Sequence, residues 1–172
     1  MIEKKSIFRL LLTAILFFVP INIYMIGNGI GTGIQWVLFR YQQTVYGNTL
    51  FTLDMDLGYV VGGVITGKSA LSTAAWLAGV LLLVAALVIV LITMYGKGGV
   101  RVGHAGYLAI SAALAFLAAD MLQYGLIFSG PAGFAIPVGI PLVLFSGWWL
   151  INEADGMETG ELDLEEPASI ED

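Results

Sequence analysis

The chain has 172 residues, of which 58% are hydrophobic and 12% are charged, and its formal net charge is −6. Soluble domains contain about 25% charged residues, so this composition indicates an integral membrane protein. Seven scattered cations form no basic patch for nucleic acid. The lack of cysteine excludes disulfides and thiolate chemistry, and a single histidine excludes a multi-histidine metal or haem site. We therefore expect no metal and no cofactor.

The acidic residues are concentrated at one end of the sequence. Nine of the 13 lie within residues 153–172, which contain no lysine or arginine, whereas residues 1–152 carry seven cations and four acids. We interpret residues 1–152 as a transmembrane domain and residues 153–172 as an acidic cytoplasmic tail. The high charge of the tail and its few aromatic side chains predict disorder.

The first apolar run follows Lys4 and Lys5 and predicts a retained transmembrane helix over residues 7–26. About 20 residues match the thickness of a bilayer, and the cleavage pattern of a signal peptide is missing. Residues 27–33 are rich in glycine. They predict a flexible exit loop rather than a phosphate-binding loop, because a helix and not a strand is predicted before them.

Residues 27–69 are predicted to form a long, partly β loop outside the membrane. The segments Ile34–Thr44 and Thr49–Leu57 are rich in aromatic and β-branched residues, and they flank Gly47-Asn48. This pattern is typical of a β-hairpin. A short helix over residues 35–43 is the alternative, because Trp36 and Phe39 would then share one helical face.

Aromatic and charged side chains in this loop are candidate contact residues, namely Trp36, Phe39, Arg40, Asp54 and Asp56. Asp54 and Asp56 alternate with apolar residues and would share one face of a strand. Two carboxylates are too few for calcium, which takes about six to eight oxygen ligands. We therefore expect a solvated face that pairs with Arg40 or Lys68, and no metal site.

Three further helices are predicted over residues 70–95, 105–128 and 134–151. The first of these has no hydrogen-bonding side chain from Leu77 to Ile92, so it serves packing or lipid contact. The second is rich in alanine, which lets a neighbouring helix approach closely. Pro137 and Pro141 interrupt the first half of the third.

Asp120 is the acidic residue predicted to lie within a membrane helix, and Gln123 and Tyr124 share its helical face at i+3 and i+4. A carboxylate in hydrocarbon needs a partner, a proton or water. Three interpretations are open: a hydrogen-bonded group that stabilises helix packing, a cation or proton site, or a general acid or base. The carbonyl groups freed by Pro137 and Pro141 mark the predicted neighbourhood of Asp120.

The distribution of cations predicts the orientation of the chain. Five cations lie in the first nine residues and in the loop 96–104, against two, Arg40 and Lys68, on the other side. Both termini should therefore be cytoplasmic. We predict an all-α integral membrane protein of the plasma or cytoplasmic membrane, a four-transmembrane-helix bundle with a partly β extracytoplasmic loop between helices 1 and 2. In topology this outline is similar to claudin-type tetraspan proteins, whose paired loop cysteines the chain lacks.

Three functions are compatible with these features. We expect a non-enzymatic membrane subunit, assembly or adhesion component that contacts the lipid bilayer and either other membrane protein chains or further copies of itself. The alternative is a small oligomeric transporter or channel with Asp120 as its ion or proton site. A membrane enzyme acting on lipid or peptide is the third, and it lacks an obvious second catalytic group within the predicted helices.

Overall fold

The computed structural model of the protein describes residues 4–27, 29–95 and 101–162. Residues 96–100 of the predicted basic loop and residues 163–172 of the predicted tail lie outside the described residues. The elements follow in the order α1 (Lys4–Ile15), β1 (Asn22–Ile26), β2 (Gly31–Gln35), β3 (Phe39–Thr44), β4 (Gly47–Thr52), α2 (Leu53–Val61), α3 (Gly67–Met94), α4 (Val102–Tyr124), β5 (Ser129–Gly130), β6 (Gly133–Ile136) and α5 (Ile140–Leu162).

The predicted fold class, an all-α bundle of four transmembrane helices, is wrong, because the described chain has a mixed α/β fold. Within the described residues, five helices accompany an antiparallel sheet of six strands in the order β4-β3-β2-β1-β6-β5. Two helices of this part of the chain, α3 and α4, are long and apolar enough to cross a membrane. They correspond to the helices predicted over residues 70–95 and 105–128.

The first apolar run contains a short helix and a strand instead of one helix over residues 7–26. The helix α1 has 12 residues and ends at Ile15, which gives it a length of about 18 Å. In β1, buried Asn22 and Tyr24 alternate with exposed Ile23, as side chains of a strand do. Backbone hydrogen bonds to β2 on one side and to β6 on the other stabilise this strand.

The predicted helix over residues 134–151 also begins with a strand. β6 pairs with β1 from Ile136 opposite Ile23 to Gly133 opposite Ile26. Pro137 has no N–H group to continue the pairing and follows the strand directly. α5 starts at Ile140, so Pro141 lies in its first turn, where a missing N–H costs no helical hydrogen bond. The helix continues to Leu162, into the segment for which the sequence predicts a disordered tail.

The loop predicted over residues 27–69 contains three strands and a helix. β3 and β4 form a hairpin, but its turn is Val45-Tyr46 rather than Gly47-Asn48. β2 precedes this hairpin and pairs with β3, so the alternative of a helix over residues 35–43 is wrong. Asp54 and Asp56 lie in α2 and not in a strand. Residues two apart on a helix do not share a face, and the two carboxylates therefore have different environments.

The core lies between the long helices. Five alanines of α4 are almost completely buried, as their small size predicts for a close helix contact: Ala105, Ala109, Ala112, Ala113 and Ala119. Phe116 of α4 packs over Gly79 of α3, where an added Cβ would lie 2.6 Å from the ring. Gly106 of α4 faces Gly147 of α5, and a Cβ on either would lie 2.5 or 2.8 Å from the carbonyl oxygen of the other. The sheet lies at the end of α4 from which β5 and β6 continue.

Candidate functional site

A polar cavity lies where the sheet meets α2 and the neighbouring ends of α3 and α4. Its polar lining comes from five different elements and comprises Gln35, Arg40, Asp56, Ser72, Thr73, Asp120, Gln123 and Tyr124. A volume of about 50 Å³ inside it is accessible to the centre of a water molecule. About 10–15 Å³ of such volume is enough to hold one water. The cavity can therefore accept a small hydrated group.

Asp120 forms the most buried part of this lining, with 2% of its surface exposed. α4 ends at Tyr124, and Gly125 follows it with φ of +95°, so Asp120 lies one turn, about 6 Å, from the end of the helix. Asn22, the first residue of β1, donates a hydrogen bond from Nδ2 to Oδ1 of Asp120 over 2.6 Å. This contact joins α4 directly to the sheet.

The neighbourhood of Asp120 differs from the one predicted. Pro137 and Pro141 free no carbonyl groups inside a helix, because one follows β6 and the other lies in the first turn of α5. Asn22 donates to Asp120 instead, from a position 98 residues earlier in the chain. Oδ2 of Asp120 and Oδ1 of Asn22 are both buried without a hydrogen-bond partner among the described residues.

Arg40 and Asp56 form an ion pair on the cavity wall. Nη2 of Arg40 lies 2.6 Å from Oδ1 of Asp56, and the guanidinium carbon lies 5.0 Å from the centroid of the Phe51 ring. Burial raises the pKa of the Asp56 carboxyl group above its ordinary value, and the neighbouring Arg40 charge opposes that rise. A pairing of these carboxylates with Arg40 was expected from the sequence, although on a strand and not on a helix.

Two tryptophans line the same cavity. Trp76 of α3 donates from Nε1 to the carbonyl oxygen of Val37 over 3.0 Å, and its ring centroid lies 4.6 Å from that of Phe116. Phe116 is completely buried one turn before Asp120, so this ring pair packs apolar surface beside the carboxyl group. Trp36 stacks on Phe39 with a centroid distance of 4.8 Å.

Two tyrosines lie between α4 and the sheet. The ring of Tyr124 is 6.4 Å from that of Tyr24 in β1, and the Tyr24 hydroxyl donates to Oε1 of Gln42 over 3.4 Å. Burial raises the pKa of Tyr24, so this hydroxyl remains a donor at neutral pH.

Most of the predicted site residues meet at this one cavity. From the loop these are Trp36, Phe39, Arg40 and Asp56, and from α4 they are Asp120, Gln123 and Tyr124. Asp54 is exposed and lines a shallow apolar groove beside Leu38 and Leu50 instead. Sequence reasoning missed Ser72 and Thr73, and it did not connect Asn22 with Asp120. The one signal for Asn22 was its amide side chain in an otherwise apolar run.

The chemistry of this lining suits a small polar or cationic group, because a buried carboxyl group, an ion pair and neutral oxygens face one space. Within the described ranges, no group of three or more His, Cys, Asp or Glu side chains is placed to hold a metal ion. Comparison with known protein families and with characterised proteins finds no match to this sequence.

Proposed function

We propose that the protein is an integral membrane protein and acts as a non-enzymatic subunit or assembly component, whose sheet pairs with that of a second copy of the chain. The observation that carries the proposal is the outer strand β4, which is long, uncharged and solvent-exposed along most of its length. The following arguments concern its membrane location, its orientation and this edge.

The surface of α3 supports a membrane location. In its most apolar window, 28% of the residues are buried within the chain, so most of the window faces outward. Leu71, Leu81 and Val88 are 59%, 60% and 45% exposed. Acyl chains of a bilayer cover such an apolar surface, which would otherwise contact water. We infer that α3 and α4 cross the membrane with α1 and α5 packed beside them.

The distribution of cations supports one orientation. The first nine residues and residues 96–104 contain five cations. Of these, Lys4, Lys5 and Arg9 lie in α1, and Arg101 directly precedes α4, so they lie toward the ends of these helices that face away from the sheet. Arg40 and Lys68 lie at the sheet end. The excess of cations favours the cytoplasm for the first group, which puts the sheet on the opposite side of the membrane.

The two edges of the sheet differ in length and composition. β5 has two residues and is followed by Pro131, which cannot donate to a further strand. β4 has six residues without charge or proline, and no further strand lies beside it in the described part of the chain. Long neutral edges favour pairing with another strand, because their backbone groups are free to bond.

The tip of the hairpin extends this edge with apolar side chains. Val45 and Tyr46 are 75% and 90% exposed, and Leu50 on β4 is 54% exposed. A second copy related by a two-fold axis would place β4 antiparallel to β4 and bring the same apolar residues together. We therefore favour self-association over a different partner.

Single-cysteine variants test this proposal, since the sequence contains no cysteine of its own. We expect Asn48→Cys, Thr49→Cys and Leu50→Cys to form disulfide-linked dimers under mild oxidation in native membranes. The yield should be highest for the residue nearest the two-fold axis. Thr32→Cys is the matched control, because Thr32 is also exposed but lies on the inner strand β2, and it should remain monomeric.

Two results would contradict the proposal: no cross-linked species, or equal yields from β4 and from the Thr32 control. A cross-linked species of a mass that does not fit a dimer would keep β4 as the contact strand. In that case the partner would be a different membrane subunit and not a second copy of the chain.

A second candidate function is ion or proton transport with Asp120 as the binding site. The observation in its favour is the position of the carboxyl group on the wall of a polar cavity. We rank it second because the α4 residues beyond the cavity, Ala112, Ala113 and Phe116, are apolar and fully buried. Reconstitution in liposomes tests it: a sodium or proton flux that Asp120→Asn abolishes would favour transport over the assembly role.

A further inference from the structure

Asp120 and Asn22 leave two buried oxygens without a hydrogen-bond partner, which are Oδ2 of the carboxyl group and Oδ1 of the amide. The two side chains are 2% and 0% exposed and already contact each other through the 2.6 Å hydrogen bond. Both unpartnered atoms are acceptors. Neither can therefore satisfy the other, and a proton, a cation or a donor such as water has to lie between them.

A buried carboxylate is unfavourable without a compensating charge. Arg40 is the cation on the wall of the same cavity, but its Nη2 group bonds to Asp56. The charged groups that line the cavity are thus Arg40, Asp56 and Asp120, with a formal sum of −1. The remaining negative charge lies on Asp120.

The donor set identifies the class of cation. One carboxylate with neutral oxygens suits a monovalent cation, whereas calcium takes about six to eight oxygen ligands. Ser72, Gln123 and Tyr124 supply such neutral oxygens to the cavity, and in the described residues no cluster of three acidic or imidazole ligands is present. We propose that Asp120 and Asn22 form a binding site for one monovalent cation, a proton or Na⁺, which enters through the polar cavity.

Each of the two cations satisfies both unpartnered oxygens. A proton on Oδ2 lets the carboxyl group donate to Oδ1 of Asn22, while Nδ2 of Asn22 donates to Oδ1 of Asp120, so that acid and amide satisfy each other. A sodium ion would instead accept both free oxygens as ligands, together with cavity oxygens and water. Asn22 is the neutral partner in both cases. The other titratable groups near the site are Arg40, Asp56, Tyr124 and Tyr24.

Binding can be measured separately from assembly and from transport. The purified protein in nanodiscs is examined by infrared difference spectroscopy, which detects the C=O stretch of a protonated carboxylic acid, and by thermal unfolding. Both are recorded at neutral pH in choline chloride and in sodium chloride of equal ionic strength. Asp120→Asn removes the carboxyl group with little change in size, and Asp54→Asn removes an exposed carboxyl group outside the cavity as the matched control.

For the proton, we expect a protonated-acid band in choline chloride that is lost in Asp120→Asn and kept in Asp54→Asn. For sodium, we expect a Tm several degrees higher in sodium chloride than in choline chloride, because a ligand of the folded state stabilises it. Asp120→Asn should lose that difference and Asp54→Asn should keep it. If sodium also removes the acid band, the two cations compete for one site.

The inference is overturned if the wild-type protein shows no Asp120-dependent acid band and an identical Tm in the two salts. If Asp120→Asn does not fold, Asn22→Ala keeps the carboxyl group and removes its partner. It should then shift the acid band or reduce the sodium effect on Tm, and an unchanged band together with an unchanged sodium effect would equally overturn the inference.

Discussion

Arg9 and Glu153 form a two-point ion pair, in which Nε and Nη2 of Arg9 lie 2.9 and 3.0 Å from the two carboxylate oxygens of Glu153. The pair joins α1 to α5 across 144 residues of sequence. The two side chains are 9% and 16% exposed, so water screens the interaction only in part. Two parallel bonds to a planar guanidinium also fix the relative position of the two helices.

Removing one partner of this pair should destabilise the protein. We expect Glu153→Ala to lower the free energy of unfolding by about 2 kcal/mol, because it removes both hydrogen bonds that the buried Arg9 guanidinium donates to this carboxylate. Thermal unfolding in detergent measures the change. Glu153→Asp, which keeps the charge on a shorter side chain, is the control and should lose less than the alanine variant. Equal losses would show that the charge is irrelevant.

The contact between α4 and α5 should not tolerate a side chain at its crossing. A Cβ at Gly147 would lie 2.8 Å from the carbonyl oxygen of Gly106, and a backbone atom cannot move away as a side chain can. We expect Gly147→Ala to destabilise the protein by about 1–3 kcal/mol. Gly58→Ala is the matched control, since a Cβ in that helix meets no atom within 4 Å. It should instead be neutral or slightly stabilising through helix propensity.

The junction of β1 and β6 depends on a glycine at position 133. Its φ is +124°, and an added Cβ would overlap the carbonyl oxygen of Met25. We expect Gly133→Ala to prevent the pairing of these strands and to lower the Tm sharply. A reporter cysteine placed on β1 should then react faster with a thiol reagent than it does when Gly133 is present. Gly29→Ala is the control for strained backbone alone, because its φ is +85° and a Cβ there meets nothing within 4 Å. A similar effect of both variants would contradict the steric explanation.

The stability contributed by Asp56 should depend on pH. Burial raises its folded-state pKa above the ordinary value of 3.8, so the folded chain holds this proton more tightly than the unfolded chain. The stability that Asp56 contributes is fully present below pH 3.8, and it is lost as the pH rises through the folded-state pKa of Asp56. We expect the difference in unfolding free energy between the wild type and Asp56→Asn to change over that interval.

The Arg40 charge tests the cause of this pH dependence. Because Arg40 lowers the pKa of Asp56, Arg40→Gln should move the transition to higher pH. Unfolding measured at a series of pH values gives both curves. A difference between wild type and Asp56→Asn that is constant with pH would contradict the assignment.

The sequence alone was sufficient to predict the two long helices α3 and α4. It was not sufficient to predict the strands β1 and β6. Residues 77–92 are apolar without interruption, and this pattern alone predicts a helix close to the observed Gly67–Met94. The run that contains β1 is equally apolar, and its alternation of buried and exposed residues covers too few positions to distinguish a strand from a helix. What makes it a strand is its pairing with Gly133–Ile136, more than 100 residues away.

The candidate site shows the same limit. The spacing of Asp120, Gln123 and Tyr124 is local and predicts one shared helical face, and all three side chains line the cavity. The partner of Asp120 is not local, because Asn22 reaches it through the sheet. Glu153 was likewise assigned to a disordered tail, since local composition contains no information about Arg9.

The strand order of the sheet has a consequence for synthesis of the chain. β1 to β4 are made first, but β6 occupies the position between β1 and β5 and follows about 110 residues after β1. At about 5–20 residues per second, one edge of β1 stays open for about 5–20 s. During this interval α3 and α4 are synthesised, and the sheet is completed only after them. The pairing of β1 with β6 therefore cannot take place before both long helices have been synthesised, so the sheet is among the last parts of the fold to be completed.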